Sequence, residues 1–325
     1  MRSRFSAVAA LAAVVLGLAA CGGPAPAASA GPWSFTDDVG ATVNLPQRPV
    51  RIAGLSDVAV SLWNYGIAPV AVFGYTGVTQ DRRFAGRELS QVAELGKAYG
   101  EINLEALAQA APDIVVTHAY PTDAAGTLDP TKPLYGFSDL AQQEAVARIA
   151  PIVAIAMDGS AVRVIDRTVE LAEALGAAPS AIDATRAGYA SAEQRLRTAA
   201  AKGLSVLVVA AYPAEGLYVA KAPDDPELTS YADLGVRFVD PGGTDYYWEV
   251  VSWENVGRVP ADVVLESQLD TMTAEQIAAQ PTMANTPAGR ARQIHPWIFA
   301  SMDYTAQAAY MNELAGHLEA AHKVT

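Results

Sequence analysis

A chain of 325 residues is longer than a single hydrophobic core usually supports, so two lobes are expected, each able to bury a core of its own. Hydrophobic residues make up 51% and charged residues 18%, a globular composition, and no stretch after residue 30 approaches the roughly 18 apolar residues that a membrane-spanning helix needs. The formal charge of −13 repels phosphates, which disfavours a nucleic-acid partner and suits a neutral or cationic ligand better than a polyanion.

At the N-terminus, Arg2 and Arg4 precede an alanine-rich apolar run ending in Leu18-Ala19-Ala20-Cys21, the form of a secretory signal over residues 1–21. The L-A-A-C ending resembles the lipobox of bacterial lipoproteins, which implies cleavage before Cys21 and a lipid on that cysteine. Cys21 is the only cysteine, so it has no disulfide partner within the chain. Residues 22–32, rich in Gly, Pro, Ala and Ser, read as a flexible tether. The folded part is expected outside the cell, anchored to the membrane, as a monomer.

From Trp33 the segment WSFTDDVGATVNLP alternates around Asp38 and Gly40 as a short hairpin. Residues 50–53 and 70–73 are apolar runs of strand length, separated by a helix over 57–65 that ends at Gly66. A helix over 103–110 then precedes strands over 113–117 and 152–156. Strands alternating with helices predict a parallel sheet covered on both faces, with 33–157 as the first α/β lobe.

The stretch DGSAVRVIDRTVELAEALG, residues 158–176, has helical period. Arg163, Asp166, Arg167, Glu170 and Glu173 recur at spacings of three and four beside an apolar stripe of Val162, Ile165, Val169 and Ala172. Asp158 or Ser160 is the expected N-cap, and Gly176 the expected left-handed end. One unbroken helix of that length spans roughly 28 Å and can join two lobes as a strut. Periodicity alone equally allows an ordinary surface helix.

In residues 177–325 the same grammar resumes as a second α/β lobe. Helix 181–201, strand 204–210, a run at 236–239, a helix from Ser252, strand 262–266, the segment 294–299 and a final helix over 303–321 follow in order. Two internal echoes suggest lobes of similar build. INLEALAQAAPDIVV and VSWENVGRVPADVVL place Glu105 and Glu254 each eight residues before an aspartate that opens a strand. VVTHAYP and VVAAYP each run a strand into a loop with a tyrosine, Tyr120 and Tyr212.

Ligands of open α/β sheets bind beyond the carboxyl ends of the strands. The loops there offer Tyr75, Arg82, Arg83, His118 and Tyr120, with Lys97 and Tyr99 ahead of the Glu105 helix; the second lobe offers Tyr212, Tyr218, Tyr246, Tyr247, Trp248 and Trp297. Aromatics with a polar tip suit a cleft for a large organic ligand, although any one of them can equally be a tyrosine at the edge of a core. There is no G-x-S-x-G, no H-E-x-x-H and no phosphate-cradling glycine loop, so a secreted enzyme finds less support. Metal-ion binding through His118 and His295 with a carboxylate is a minor alternative. Glu105 and Glu254 follow good N-caps, Asn103 and Ser252, where a carboxylate stabilises the positive end of a helix. Capping explains either alone, but not why both lobes carry one at the same place.

The lipobox, FTDDVGATVNLP, GEINLEALAQAAPDIVV, the long middle helix and VVSWENV together resemble the substrate-binding lipoproteins of ABC importers for ferric siderophores, haem and cobalamin. The resemblance runs from Cys21 to the C-terminus and implies two Rossmann-like α/β lobes on one rigid helix, clasping a ligand between them without catalysis or a cofactor of their own. It implies capture of a ferric siderophore outside the cell and delivery to a permease dimer that docks through Glu105 and Glu254. Tyr120 sits where related hydroxamate binders place a ligand-contacting tyrosine, and 246–248 near a tryptophan of the same role. The arginine those binders carry before N-L-E is replaced by Lys97 or Tyr99 with shifted spacing. Catecholate chelates are trianionic and usually need several arginines; only Arg82 and Arg83 are on offer, so a hydroxamate or mixed chelate is favoured, with haem or cobalamin as the near alternative.

Overall fold

A computed structural model describes residues 31–267 and 271–325, so Cys21 and the signal segment lie outside the described residues. The chain opens on a hairpin of β1 (Trp33–Thr36) and β2 (Thr42–Leu45), as the alternation around Gly40 predicts. Next come β3 (Ile52–Leu55), α1 (Ser56–Asn64), β4 (Ala71–Phe73), β5 (Ala93–Glu94), α2 (Leu104–Ala110), β6 (Ile114–Ala119), α3 (Leu140–Ala147) and β7 (Ile152–Ala156). Their sheet, in the order β5-β4-β3-β6-β7, is parallel throughout. Every residue of β3 and β6 is buried, as expected of central parallel strands covered on both faces.

Then α4 (Ala161–Ala174) and α5 (Pro179–Ala200) carry the chain into the second lobe. It is built from β8 (Ser205–Tyr212), β9 (Gly216–Ala220), α6 (Pro226–Asp233), β10 (Arg237–Phe238), β11 (Trp248–Val251), β12 (Val263–Ser267), the short helices α7 (Ala274–Ala278), α8 (Pro281–Ala284) and α9 (Pro287–Ala291), β13 (Ile294–Trp297) and α10 (Tyr304–Ala320). The sheet runs β11-β9-β8-β12-β13, with β10 beside the start of β8. It is mixed rather than parallel: β9 runs antiparallel to both β8, with which it forms a hairpin, and β11. Only residues 213–215 separate β8 from β9, too few for the crossover a parallel pair requires.

The middle helix is shorter than its pattern suggests. It has 14 residues and spans about 21 Å, because Ser160 rather than Asp158 caps it, by accepting from the Arg163 N–H at 3.3 Å, and Gly159 before it has φ +70°. Gly176 follows the helix at φ +98°, the left-handed conformation that ends such segments. The buried stripe is Ala161, Val164, Ile165, Thr168, Val169, Leu171 and Ala172; Val162, placed by periodicity on the inner face, is 43% exposed. Each of the larger apolar side chains contributes on the order of 1.5–3 kcal/mol when fully buried. Arg167 ties the hairpin to this helix through Asp38 at 2.7 Å, and Trp33 donates to the Ala174 carbonyl at 2.9 Å. One apolar cluster runs without interruption from Ile114 and Val153 through α4 to Val208 and Leu265, so the lobes share a core across the linking helix.

The first echo is structural. Asp113 Oδ2 accepts from the Val50 and Arg51 N–H groups, and Asp262 Oδ2 accepts from the Ser205 N–H, each aspartate clamping the start of the neighbouring central strand. With β3-β6-β7 matched to β8-β12-β13, α2 and the 3-10 helix Trp253–Arg258 occupy equivalent places, each leading into the strand second in chain order among the three. The second echo joins unlike strands: β6 matches β12, not β8, so VVTHAYP and VVAAYP are a coincidence of composition.

Candidate ligand site

The carboxyl ends of both sheets face a common cavity of about 470 Å³. Eight tyrosines line it, together with Trp248 and Phe299. Tyr75 follows β4, Tyr120 follows β6 and Tyr212 closes β8, in agreement with the general rule for open α/β sheets. The rings form a continuous path between the lobes. Tyr75 and Tyr99 lie 6.0 Å apart between centroids, Tyr99 and Tyr135 5.2 Å, Tyr135 and Tyr120 4.5 Å, Tyr120 and Tyr247 5.7 Å, and Tyr247 and Trp248 5.3 Å. Tyr212 and Tyr218 form a separate edge-to-face pair at 5.2 Å on the second lobe. The edge-to-face contacts at Tyr120–Tyr247 and Tyr212–Tyr218 are a favoured aromatic geometry.

The cage is anchored from behind by carboxylates. Tyr75 donates to Asp57 Oδ2 at 3.2 Å, and Tyr247 to Asp225 Oδ2 at 2.5 Å. Tyr247 sits at φ +68°, a conformation uncommon for a bulky residue, held by its N–H on Asp224 Oδ2 at 3.1 Å. Burial, followed by the nearby carboxylates, pushes the phenols of Tyr75 and Tyr247 well above their ordinary pKa; burial and neighbouring phenols do the same for Tyr120, and Tyr246 is pushed up to about 12 by burial. These rings therefore stay neutral at physiological pH and act as hydrogen-bonding phenols, not phenolates.

Of the residues singled out from sequence, Tyr75, Tyr99, Tyr120, Tyr212, Tyr218, Tyr246, Tyr247 and Trp248 line this cavity. Five do not. Trp297 is 1% exposed and stacks on Phe299 at 4.8 Å, so Phe299 takes the lining position two residues further on. His118 is fully buried behind the cage, edge-on to Tyr120, and burial lowers its pKa to about 4, keeping it neutral. Lys97 points to solvent and pairs with Glu94 at 3.4 Å. Arg82 binds Glu313 on α10 at 3.0 Å. The Arg83 side chain, 5% exposed, is held by Asp57 at 2.5 Å, Asp81 at 2.7 Å and the Ser56 hydroxyl at 2.9 Å. Both arginines border a neighbouring cavity instead. His295 stacks on His317 at 4.3 Å, and among the described residues no three His, Cys, Asp or Glu side chains are grouped to hold a metal ion.

Sequence reasoning missed Tyr135, Phe299 and Thr271. Tyr135 belongs to the loop between β6 and α3, where its N–H donates to the His118 carbonyl at 3.0 Å; no strand end signals it. Glu105 and Glu254 lie away from the cavity, both exposed, on α2 and the 3-10 helix Trp253–Arg258.

A family model described as periplasmic binding protein matches residues 59–297. The ferric-siderophore receptor protein DesE from Streptomyces coelicolor is 33% identical, with 90% of this chain and 100% of that one aligned at a TM-score of 0.78. At the level of fold alone, the Fe3+-Desferal-bound siderophore binding protein FhuD from Vibrio cholerae aligns at 0.60 with 17% identity, covering 83% of this chain and 98% of its own. The periplasmic heme-binding protein RhuT from Roseiflexus sp. RS-1 does so at 0.59 with 17% identity, covering 82% and 97%. No curated protein sequence matches the chain. Two α/β lobes on a linking helix, a cavity at the facing strand ends, a family match over most of the chain and a relative one-third identical along its whole length lead to one assignment: the chain belongs to the periplasmic binding protein family.

Proposed function

We propose that the protein captures a ferric siderophore of the hydroxamate or mixed type outside the cell and delivers it to an ABC permease. The observation that carries this reading is the aromatic cage, whose described lining residues include eight tyrosines and no lysine or arginine. Three hydroxamates on Fe(III) make a neutral chelate, whereas three catecholates leave a trianion that would lie buried here against Asp57 and Asp225 without a counter-ion. Neutral phenols can donate to the iron-bound oxygens while the ring faces cover the organic backbone. The ferric-siderophore receptor DesE, similar over its full length, supports a ferric siderophore as the ligand. A haem ligand would bring two propionates that find no cation in this lining.

Titration of the purified protein with Fe3+-Desferal should quench tryptophan emission, with Trp248 as the reporter in the cavity. Tyr120→Ala and Trp248→Ala should each weaken binding by about 1–3 kcal/mol, as expected of buried aromatic anchors. Parent-like binding by both variants, or tighter binding of a ferric tricatecholate than of the hydroxamate, would overturn the assignment. Anchoring belongs to the same reading: Cys21→Ser should release the protein from the membrane fraction, and a variant still retained there would remove the lipid on Cys21 from the account.

A further inference from the structure

Past Tyr75, Thr271 and Phe299, which line both spaces, the aromatic cage continues into a second cavity of about 340 Å³ with different chemistry. Glu266, near the carboxyl end of β12, lines it. The residue is 2% exposed; Oε1 accepts from the Thr271 hydroxyl at 3.4 Å, and Oε2 has no hydrogen-bond partner among the described residues. A buried carboxylate oxygen without a donor is costly, and native proteins rarely keep one without use. The two guanidinium groups that line the same cavity do not supply the donor. Arg83 is spent on Asp57, Asp81 and Ser56, and Arg82 gives one nitrogen to both oxygens of Glu313.

We propose that this second cavity is a subsite for a positively charged amine on an arm of the ferric chelate, with Glu266 as its counter-ion; the inference rests on the cage being the chelate site. The neutral metal centre stays among the tyrosines while the arm passes Tyr75 and Phe299. An ammonium brings Glu266 Oε2 a donor that the described residues do not supply, in a charge-assisted bond about twice as strong as a neutral one. The surrounding field has the right sign. Asp81, Arg82 and Arg83 line the same cavity, Glu313 pairs with Arg82, Asp57 pairs with Arg83 and Glu275 stands on α7, so carboxylates are the majority around Glu266. Burial holds the Glu266 carboxyl above its ordinary range, at about 7, with Thr271, Ala274 and Arg82 opposing and Glu275 adding to the rise. In the empty site it is partly protonated near neutrality. An adjacent ammonium favours the ionised form, so binding releases a proton and weakens as pH falls below about 7.

The test compares Fe3+-Desferal, which ends in a primary amine, with its N-acetyl derivative, in which the same arm is neutral. Both are titrated into the parent protein and Glu266→Gln at pH 7.5 and 5.5. The parent should prefer the amine form by about tenfold at pH 7.5. That preference should shrink at pH 5.5 and vanish in Glu266→Gln, while the acetylated chelate binds both proteins alike. Because Glu266→Gln removes a group whose ionisation opposes folding, the empty variant should melt no lower than the parent at pH 7.5. Equal binding of the two chelates by the parent would overturn the subsite even with the cage intact, as would an amine preference that survives in Glu266→Gln. Failure of the parent to bind either chelate would instead overturn the siderophore reading, and this inference with it.

Discussion

Uptake of a ferric siderophore is expected to fall to background in cells carrying both Glu105→Ala and Glu254→Ala, while the purified double variant still binds the chelate like the parent. The two glutamates stand at matched corners: each is exposed, and each lies eight residues before an aspartate that clamps the start of a neighbouring central strand, Asp113 in one lobe and Asp262 in the other. Neither is used by the cavity. Asn103 already caps α2 by accepting from the Ala106 N–H at 3.0 Å, and Glu105 accepts an exposed hydrogen bond from Gln109 at 3.3 Å, so its loss costs fold stability no more than the roughly 0.3–1 kcal/mol of a carboxylate at a helix N-terminus. The 3-10 helix that carries Glu254 has no side-chain cap, and its carboxyl is held below the usual range by its own backbone N–H and by Ser252, which keeps it ionised. Two fixed negative charges on equivalent lobes suit a partner that is itself two-fold, and charge-assisted pairs of this kind set orientation and encounter rate more than raw affinity. The single variants should retain partial uptake. Normal uptake in the double variant, with normal chelate binding, would reduce both residues to local helix stabilisers.

Arg83→Ala is expected to destabilise the protein by about 3–5 kcal/mol, because it strands buried carboxylates without a counter-charge. Burial pulls the guanidinium pKa down, yet Asp57 and Asp81 together hold it well above the ordinary value, so the group is charged at every accessible pH. The same Asp57 accepts from Tyr75, which makes Arg83 the support on which one wall of the cage rests. Arg83→Lys should recover only part of the loss, since one ammonium cannot reach Asp57, Asp81 and Ser56 with the guanidinium's fixed fork. Thermal melting checks this, with a fall of roughly 5–8 °C for the alanine variant. Parent-like melting accompanied by weakened chelate binding would return Arg83 to the role of a ligand contact.

The contrast between Arg83 and Tyr120 shows where reading from residues alone stops. Both follow strands in the first lobe and both are candidates for the ligand by sequence, but the neighbours that divide them are distant in the chain. Asp57, 26 positions away, claims the arginine, while Tyr247, across the cleft, meets the tyrosine. Trp297 and Phe299 divide for a similar reason. They are two residues apart, stacked at 4.8 Å, and only the seating of β13 beside β12 sends the larger ring into the core and the smaller to the cavity.

The hairpin at Trp33, the buried strands, the helix ends at Gly66 and Gly176 and the Asp113–Asp262 correspondence were legible because each depends on local period or backbone chemistry within a few residues. The pairing of β11 with β9, the aromatic path from Tyr75 to Trp248 and the Glu266 oxygen without a partner among the described residues were not. They arise from which strands become neighbours and which side chains then compete for the same buried space, and those contacts join residues tens to hundreds of positions apart, where composition and spacing carry no signal.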